Sequence, residues 1–161
     1  MITGTFEGRV DAQSRIVIPL KFRPDLQGAF MLARGTDQHI SAYPMREWDI
    51  LVAESEKFSE FDEAARIYKR LTIGSGHDVE LDRQGRIVLP TFLKTFSDIT
   101  DAVVIVGRIR HFEIWSAERW QAMEAKGANL PELAKLLYQQ QRMDQQARSE
   151  LRLLRREPSN E

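Results

Sequence analysis

The sequence predicts an α+β fold: two pseudo-symmetric β-rich repeats with flanking helices, followed by a long C-terminal helix. Three observations carry this. A nine-residue string occurs twice, as Asp11-Ala12-Gln13-Ser14-Arg15-Ile16-Val17-Ile18-Pro19 and as Asp82-Arg83-Gln84-Gly85-Arg86-Ile87-Val88-Leu89-Pro90, with six of nine positions identical at an offset of 71. The echo continues with a one-residue slip, because Ser41 to Trp48 stands 72 residues before Glu113 to Trp120. Beyond Leu130 the pattern changes to that of a polar helix with no counterpart earlier in the chain. A repeat of this length is too long for a solenoid unit and too short for two ordinary large domains. It implies a single pseudo-twofold domain or two small half-domains packed together.

Each element follows from its local pattern. Thr5 to Val10 and Arg15 to Ile18 are β-branched runs around a polar turn, which read as strand, turn, strand. Asp11 opens that turn, where its carboxylate can bond a backbone amide two residues on. Pro19 closes the second strand, and Leu20 to Arg23 reads as one helical turn cut off by Pro24. Ala29 to Ala33 and His39 to Tyr43 are two more strands. Pro44, as the first helical residue, starts a helix from Met45 to Glu56 with Trp48, Leu51 and Val52 at helical spacing. Phe61 to Thr72 is a second helix striped by Phe61, Ala64, Ala65, Tyr68 and Leu71, and Gly74 to Gly76 ends it. The second copy replays the order: strands at Val79 to Leu81 and Arg86 to Leu89, a helical turn after Pro90, strands at Ala102 to Val106 and Phe112 to Trp115, and a helix from Ala117 to about Lys126. Leu130 to Arg156 is one long helix opened by Pro131. Its seam of Leu133, Leu136, Leu137, Gln140, Met143, Ala147, Leu151 and Leu154 is broken by the Gln139-Gln140-Gln141 run, which argues against a stable coiled coil. The tail from Glu157 to Glu161 is expected to be disordered.

Composition excludes several classes. The 161 residues include no cysteine, so disulfides, thiolate catalysis and cysteine-ligated zinc are ruled out. The first residues lack the basic flank and apolar core of a signal peptide, and no apolar run approaches the length of a membrane span. The expectation is a soluble, cytoplasmic protein with no membrane contact. A net charge of −1 argues against coating nucleic acid through bulk charge. The charge is segregated, however: Arg9 to Arg23 holds four basic residues against Asp11 alone, and Glu47 to Glu63 holds seven acidic residues and one lysine.

The twice-placed Asp and Arg, four apart across a turn, admit two readings. In the structural one, the carboxylate restrains its turn and the arginine makes a local ion pair of little energetic consequence. In the functional one, Asp11 and Asp82 shape the turns while Arg15 and Arg86 present guanidinium groups to an anion, since arginine pairs bidentately with phosphate or with the guanine O6/N7 edge.

The string D-x-x-G-R-[IL]-x-[IL]-P, given twice about 70 residues apart, resembles the MraZ family of bacterial transcriptional regulators, related to AbrB-type swapped-hairpin DNA-binding domains. Arg70 to His77, leading into Asp82 to Arg86, and the Glu113-Ile114-Trp115 strand resemble it too, and the similarity covers about residues 1 to 130. The resemblance implies two AbrB/MazE-like swapped-hairpin β-barrel repeats, with a first SpoVT-AbrB-like repeat over 1–60, a connecting helix over 61–76, a second repeat over 77–127 and a C-terminal helix and tail over 128–161. It implies a ring-shaped homo-oligomer on double-stranded DNA at its own promoter, where tandem G-containing repeats precede the division and cell wall cluster. Repression is the expected outcome, and nucleoid association the expected location. The family's arginines carry over onto Arg15 and Arg86 and its aspartates onto Asp11 and Asp82. Position 14 departs from the pattern, being Ser where the second copy has Gly85. If the turn needs a positive φ, Ser14 is strained or the turn differs in type.

A nearly neutral subunit binds DNA weakly by itself, and a ring repeating its basic faces would add avidity. Arg9, Lys21, Arg23, Arg83 and Lys94 are candidate phosphate contacts, with solvated surface charge the competing reading for each. The acidic stretch should face away from DNA unless it meets basic residues of a neighbouring subunit. Two rival readings compete with this one. An enzyme finds no support: His39, His77 and His111 show no local ligand spacing, and Gly74-Ser75-Gly76 lacks the phosphate-loop pattern. No catalytic residue, metal, cofactor or small-molecule substrate is expected. The other rival is an oligomeric protein-binding scaffold using Trp48, Trp115, Trp120, Tyr43 and Phe112, which by their matching repeat positions read better as core anchors.

Overall fold

The computed structural model describes residues 1–154. In chain order its strands are β1 (Thr5–Arg9), β2 (Arg15–Val17), β3 (Phe30–Arg34), β4 (Ile40–Pro44), β5 (His77–Val79), β6 (Arg86–Val88), β7 (Ala102–Gly107) and β8 (Phe112–Ser116). The helices are α1 (Met45–Glu56), α2 (Glu63–Leu71), α3 (Thr91–Phe96), α4 (Ala117–Lys126) and α5 (Leu130–Leu154). Met1–Gln121 forms one compact unit, and the residues from Ala122 onward form a second.

The strands of the two copies interleave in a single antiparallel sheet of order β1-β7-β8-β4-β3-β5. Exchanging each strand for its counterpart in the other copy reverses this order and leaves it unchanged, which is a pseudo-twofold. The outer strands are exchanged: β1 pairs with β7 of the second copy, and β5 pairs with β3 of the first. The motif strands β2 and β6 pair with each other in a separate two-stranded ribbon. Ile16 faces Ile87 in the ribbon and Ser41 faces Glu113 in the large sheet. Each residue thus meets its own counterpart, so the pseudo-dyad passes through both rungs. Of the two arrangements the duplication allows, the observed one is a single sheet built from both halves. The closed barrel is not found. β1 and β5 each pair on one side only, and the ribbon bonds only within itself, so no strand pairing among the described residues closes a barrel.

Alternation builds the core. Ile16 and Ile18 point inward from the first motif and Ile87 and Leu89 from the second, all buried, with Phe22 and its counterpart Leu93 beside them. Phe22 packs edge-on against Phe6 and tilted against Phe112, at centroid separations of 5.3 and 5.5 Å. Trp48 and Trp115 are buried and Trp120 half-buried against Trp115, consistent with core anchors.

Several boundaries differ from expectation for local reasons. Pro24 lies inside a short 3-10 turn, Arg23–Asp25, because proline is tolerated where an early helical amide has no partner. Pro44 is the N-cap of α1 rather than its first helical residue. α2 starts at Glu63 because the Asp62 carboxylate accepts from the Ala64 amide and caps it, leaving Phe61 outside and almost fully exposed. β5 ends at Val79, opposite Phe30, where β3 begins. In the second unit the seam residues Leu133, Leu136, Leu137, Met143 and Leu151 are exposed. The expected helical end at Arg156, the seam's Leu154 side chain and the tail lie outside the described residues.

Candidate nucleic-acid interface

The two motif turns are near copies in geometry. Asp11 Oδ1 accepts from the amides of Gln13 (2.9 Å) and Arg15 (2.8 Å), and its Oδ2 accepts from Arg15 Nε (2.7 Å). Asp82 does the same with the amides of Gln84 and Arg86 (both 2.9 Å) and with Arg86 Nε (2.8 Å). Backbone bonds close each loop, Asp11 N to Arg15 O and Asp82 N to Arg86 O, both at 2.9 Å. The position after the central pair takes a positive φ in both, 61° at Ser14 and 74° at Gly85. The turn type is therefore shared, and Ser14 accepts the left-handed conformation that glycine adopts freely.

The carboxylates are acceptors throughout. The Arg15 amide first, then its guanidinium and the Gln13 amide, hold the Asp11 carboxyl below the usual carboxylate range; Arg86 and Gln84 do the same for Asp82. Each aspartate uses the Nε edge of its arginine, so the structural ion pair leaves the terminal nitrogens of the fork for other acceptors. Arg15 Nη2 is further braced by Gln13 Oε1 at 3.0 Å, and Gln84 makes no such bond to Arg86 among the described residues.

The ribbon carries these arginines on one face. Arg15 is paired with Val88 and Val17 with Arg86, while Ile16 and Ile87 turn inward. The outward face is thus a four-residue diamond of two arginines and two valines, with Val17 55% and Val88 56% exposed. Diagonal neighbours across an antiparallel pair stand about 7–8 Å apart, which sets the spacing of the two arginine backbones. The valines were missed at the sequence level; strict alternation from Arg15 and Arg86 was the signal that could have found them.

The remaining candidates separate. Lys94 donates to Ser14 Oγ at 3.0 Å, and Arg23 donates from Nε to the Ile18 carbonyl at 3.0 Å, so both are brought to the motif strands and turns. Arg83 is exposed within the second turn. Arg9 is held by Asp101 at 2.8 Å, and Lys21 donates to Thr3 Oγ1 at 3.2 Å, so these two are engaged elsewhere.

A second polar group, unforeseen because its residues are far apart in sequence, sits at the other dyad rung. His39 stacks on Trp115 at 4.6 Å and its counterpart His111 stacks on Tyr43 at 4.8 Å. Glu113, 4% exposed, accepts from Arg108 Nη1 (2.7 Å) and Trp115 Nε1 (2.9 Å) and lies 3.5 Å from His39 Nε2. Burial pushes the Glu113 carboxyl up, but its His111, His39, Trp115 and Arg108 neighbours together bring it below its ordinary value. Burial holds the His39 imidazole below its ordinary value, against the opposing pull of Glu113 and Asp37. No group of acidic and histidine side chains among the described residues has the geometry of a metal site.

Comparison with known proteins gives a consistent picture. A family model described as "MraZ protein, putative antitoxin-like" matches the chain twice, over residues 1–71 and 73–143, one match for each copy of the motif. A protein of Herpetosiphon aurantiacus named transcriptional regulator MraZ is 42% identical over 76% of this chain and 86% of its own length. Proteins of the same name from Lactiplantibacillus plantarum and Clostridium tetani are 38% and 35% identical, over 85% and 81% of this chain and 98% and 90% of theirs.

Proposed function

The chain belongs to the MraZ family, and on that premise we propose that it is a sequence-specific DNA-binding transcriptional regulator that reads DNA with the β2/β6 ribbon. The observation that carries this is the ribbon's outward face, where Arg15 and Arg86 are braced through Nε, Arg15 also through Nη2 by Gln13, and both present the end of the guanidinium to an acceptor. A two-stranded ribbon fits the major groove, and an arginine fork matches guanine O6/N7. Val17 and Val88 beside them suit apolar contact with a thymine methyl. Arg83, exposed within the second turn, supplies positive charge for phosphates beside this face.

The target is the chain's own promoter, ahead of the division and cell wall cluster, and the elements bound are tandem G-containing repeats. The active form is a ring-shaped homo-oligomer whose subunits are swapped-hairpin repeats over 1–60 and 77–127, and its binding represses. Cytoplasmic residence on the nucleoid follows from that role. A subunit of net charge −1 supports the ring, since only repetition of the ribbon face gives enough phosphate contacts for firm binding. The acidic α1 and the loop after it then face away from DNA.

The test is a titration of the purified chain with its own upstream duplex and with a scrambled duplex of equal length, at several salt concentrations. The upstream duplex should bind on the order of 10³-fold more tightly and weaken steeply with salt. Equal, weak binding to both would leave an oligomeric scaffold as the better reading.

A further inference from the structure

Each arginine turn is completed by a cation from the opposite repeat, and we infer that these two cations, Arg23 and Lys94, are positioning residues that set both DNA-reading turns as one unit. The inference rests on the DNA reading above. Arg23 and Lys94 are counterparts, standing 71 apart as the motifs do. Lys94 leaves α3 of the second repeat and donates to Ser14 Oγ, one residue before Arg15. Arg23 leaves the first repeat and lies over Gly85, one residue before Arg86, its guanidinium filling the space into which a β-carbon at Gly85 would project. Arg23 Nε is anchored on the Ile18 carbonyl, and the amide of that same Ile18 donates to the Gly85 carbonyl at 2.9 Å. On the other side the amide of Leu89 donates to the Ser14 carbonyl at 2.8 Å. Both turns are therefore held by backbone and side chain of the other half.

The two clamps are different solutions of one contact. The turn bearing a hydroxymethyl group takes an ammonium, a compact head on a flexible stem that can meet the hydroxyl. The turn bearing only hydrogen takes a planar guanidinium, which needs the vacated room. Backbone conformation does not choose between them, since Ser14 and Gly85 both hold a positive φ. A side chain at 85 would meet the Arg23 head in addition to the strain of a positive φ. The pairs 14/94 and 85/23 should then be exchangeable as pairs and not singly. The two reading arginines are also inequivalent: Arg15 sits with an ammonium and a Gln13 brace, Arg86 with a second guanidinium.

The experiment is a double-mutant cycle on the full chain with Gly85→Ser, Arg23→Lys and both together, read by thermal melting, oligomer size and affinity for the upstream duplex. Gly85→Ser should weaken affinity about tenfold or more and lower the melting temperature, and adding Arg23→Lys should restore both to within about threefold and a few degrees of the parent. Should Gly85→Ser not fold, recovery of folding by the double variant reads the same coupling. The mirror pair, Ser14→Gly with Lys94→Arg, should be better tolerated together than Lys94→Arg alone. A direct phosphate contact by Arg23 predicts no such rescue, because lysine keeps the charge whatever residue stands at 85. Additive effects in the cycle would overturn the inference, as would melting that recovers while affinity does not. Unchanged affinity of an Arg15→Ala, Arg86→Ala variant in the same titration would instead overturn the DNA reading beneath it.

Discussion

The proposed unit of recognition at the residue scale is an aspartate that accepts three hydrogen bonds and an arginine aimed by one of them. Asp82→Asn isolates this arrangement. The amide oxygen of asparagine can still accept from Gln84 and Arg86, but its NH2 would face Arg86 Nε, donor against donor. The fold and oligomer should survive while affinity for the upstream duplex falls, at a cost of about 1–3 kcal/mol, the usual worth of an aimed base-reading arginine. Equal affinity of parent and variant in that titration would show the aim of Arg86 to be irrelevant. Much of this scale was legible in the sequence, because the turn is local: Asp, Arg and the two-residue reach of a short carboxylate all lie within five positions. The side chains that complete the turns were visible only as loose candidates. Arg23 and Lys94 come from the other repeat, and nothing short-range records that Gly85 leaves room for one and Ser14 meets the other.

Local grammar at the scale of elements set where helices begin and end, and long-range pairing set the rest. α1 and α4 have the expected bounds because Pro44 and Ser116 mark sharp exits from strands, whereas α2 is shortened by the Asp62 cap. Strand exchange left no short-range signature, since β1 alternates in the same way whether its partner is β3 or β7. The cluster where β4 meets β8 was illegible for the same reason, and it makes a pH prediction. His39 faces Glu113, Asp37, His111 and Arg108, and burial depresses its folded pKa below the ordinary 6.5. A base depressed in the folded state contributes stability that is complete above the unfolded value and is lost as pH falls through the folded one. Glu113, also depressed, adds to the loss at still lower pH, below its ordinary 4.5. The melting temperature should therefore drop between about pH 7 and 5, and His39→Gln should flatten that drop. A parent curve that is flat over this interval would contradict the burial argument.

The architecture of the molecule turns a duplicated sequence into a single outward face that carries both motif arginines. One pseudo-dyad runs through Ile16–Ile87 in the ribbon and Ser41–Glu113 in the sheet, so the arginines of the two copies share one face by symmetry. Neither copy presents that face alone, because each contributes one strand of the ribbon and an outer strand to the other's half of the sheet. The near-neutral charge of the chain argues against bulk attraction to DNA, so on the proposed reading affinity comes from this face and its repetition. The most direct measurement is the affinity of an Arg15→Ala, Arg86→Ala variant for the upstream duplex, with oligomer size followed in the same samples. The account predicts an intact oligomer whose preference for the upstream over the scrambled duplex is lost. An intact oligomer that still binds the upstream duplex like the parent would contradict it.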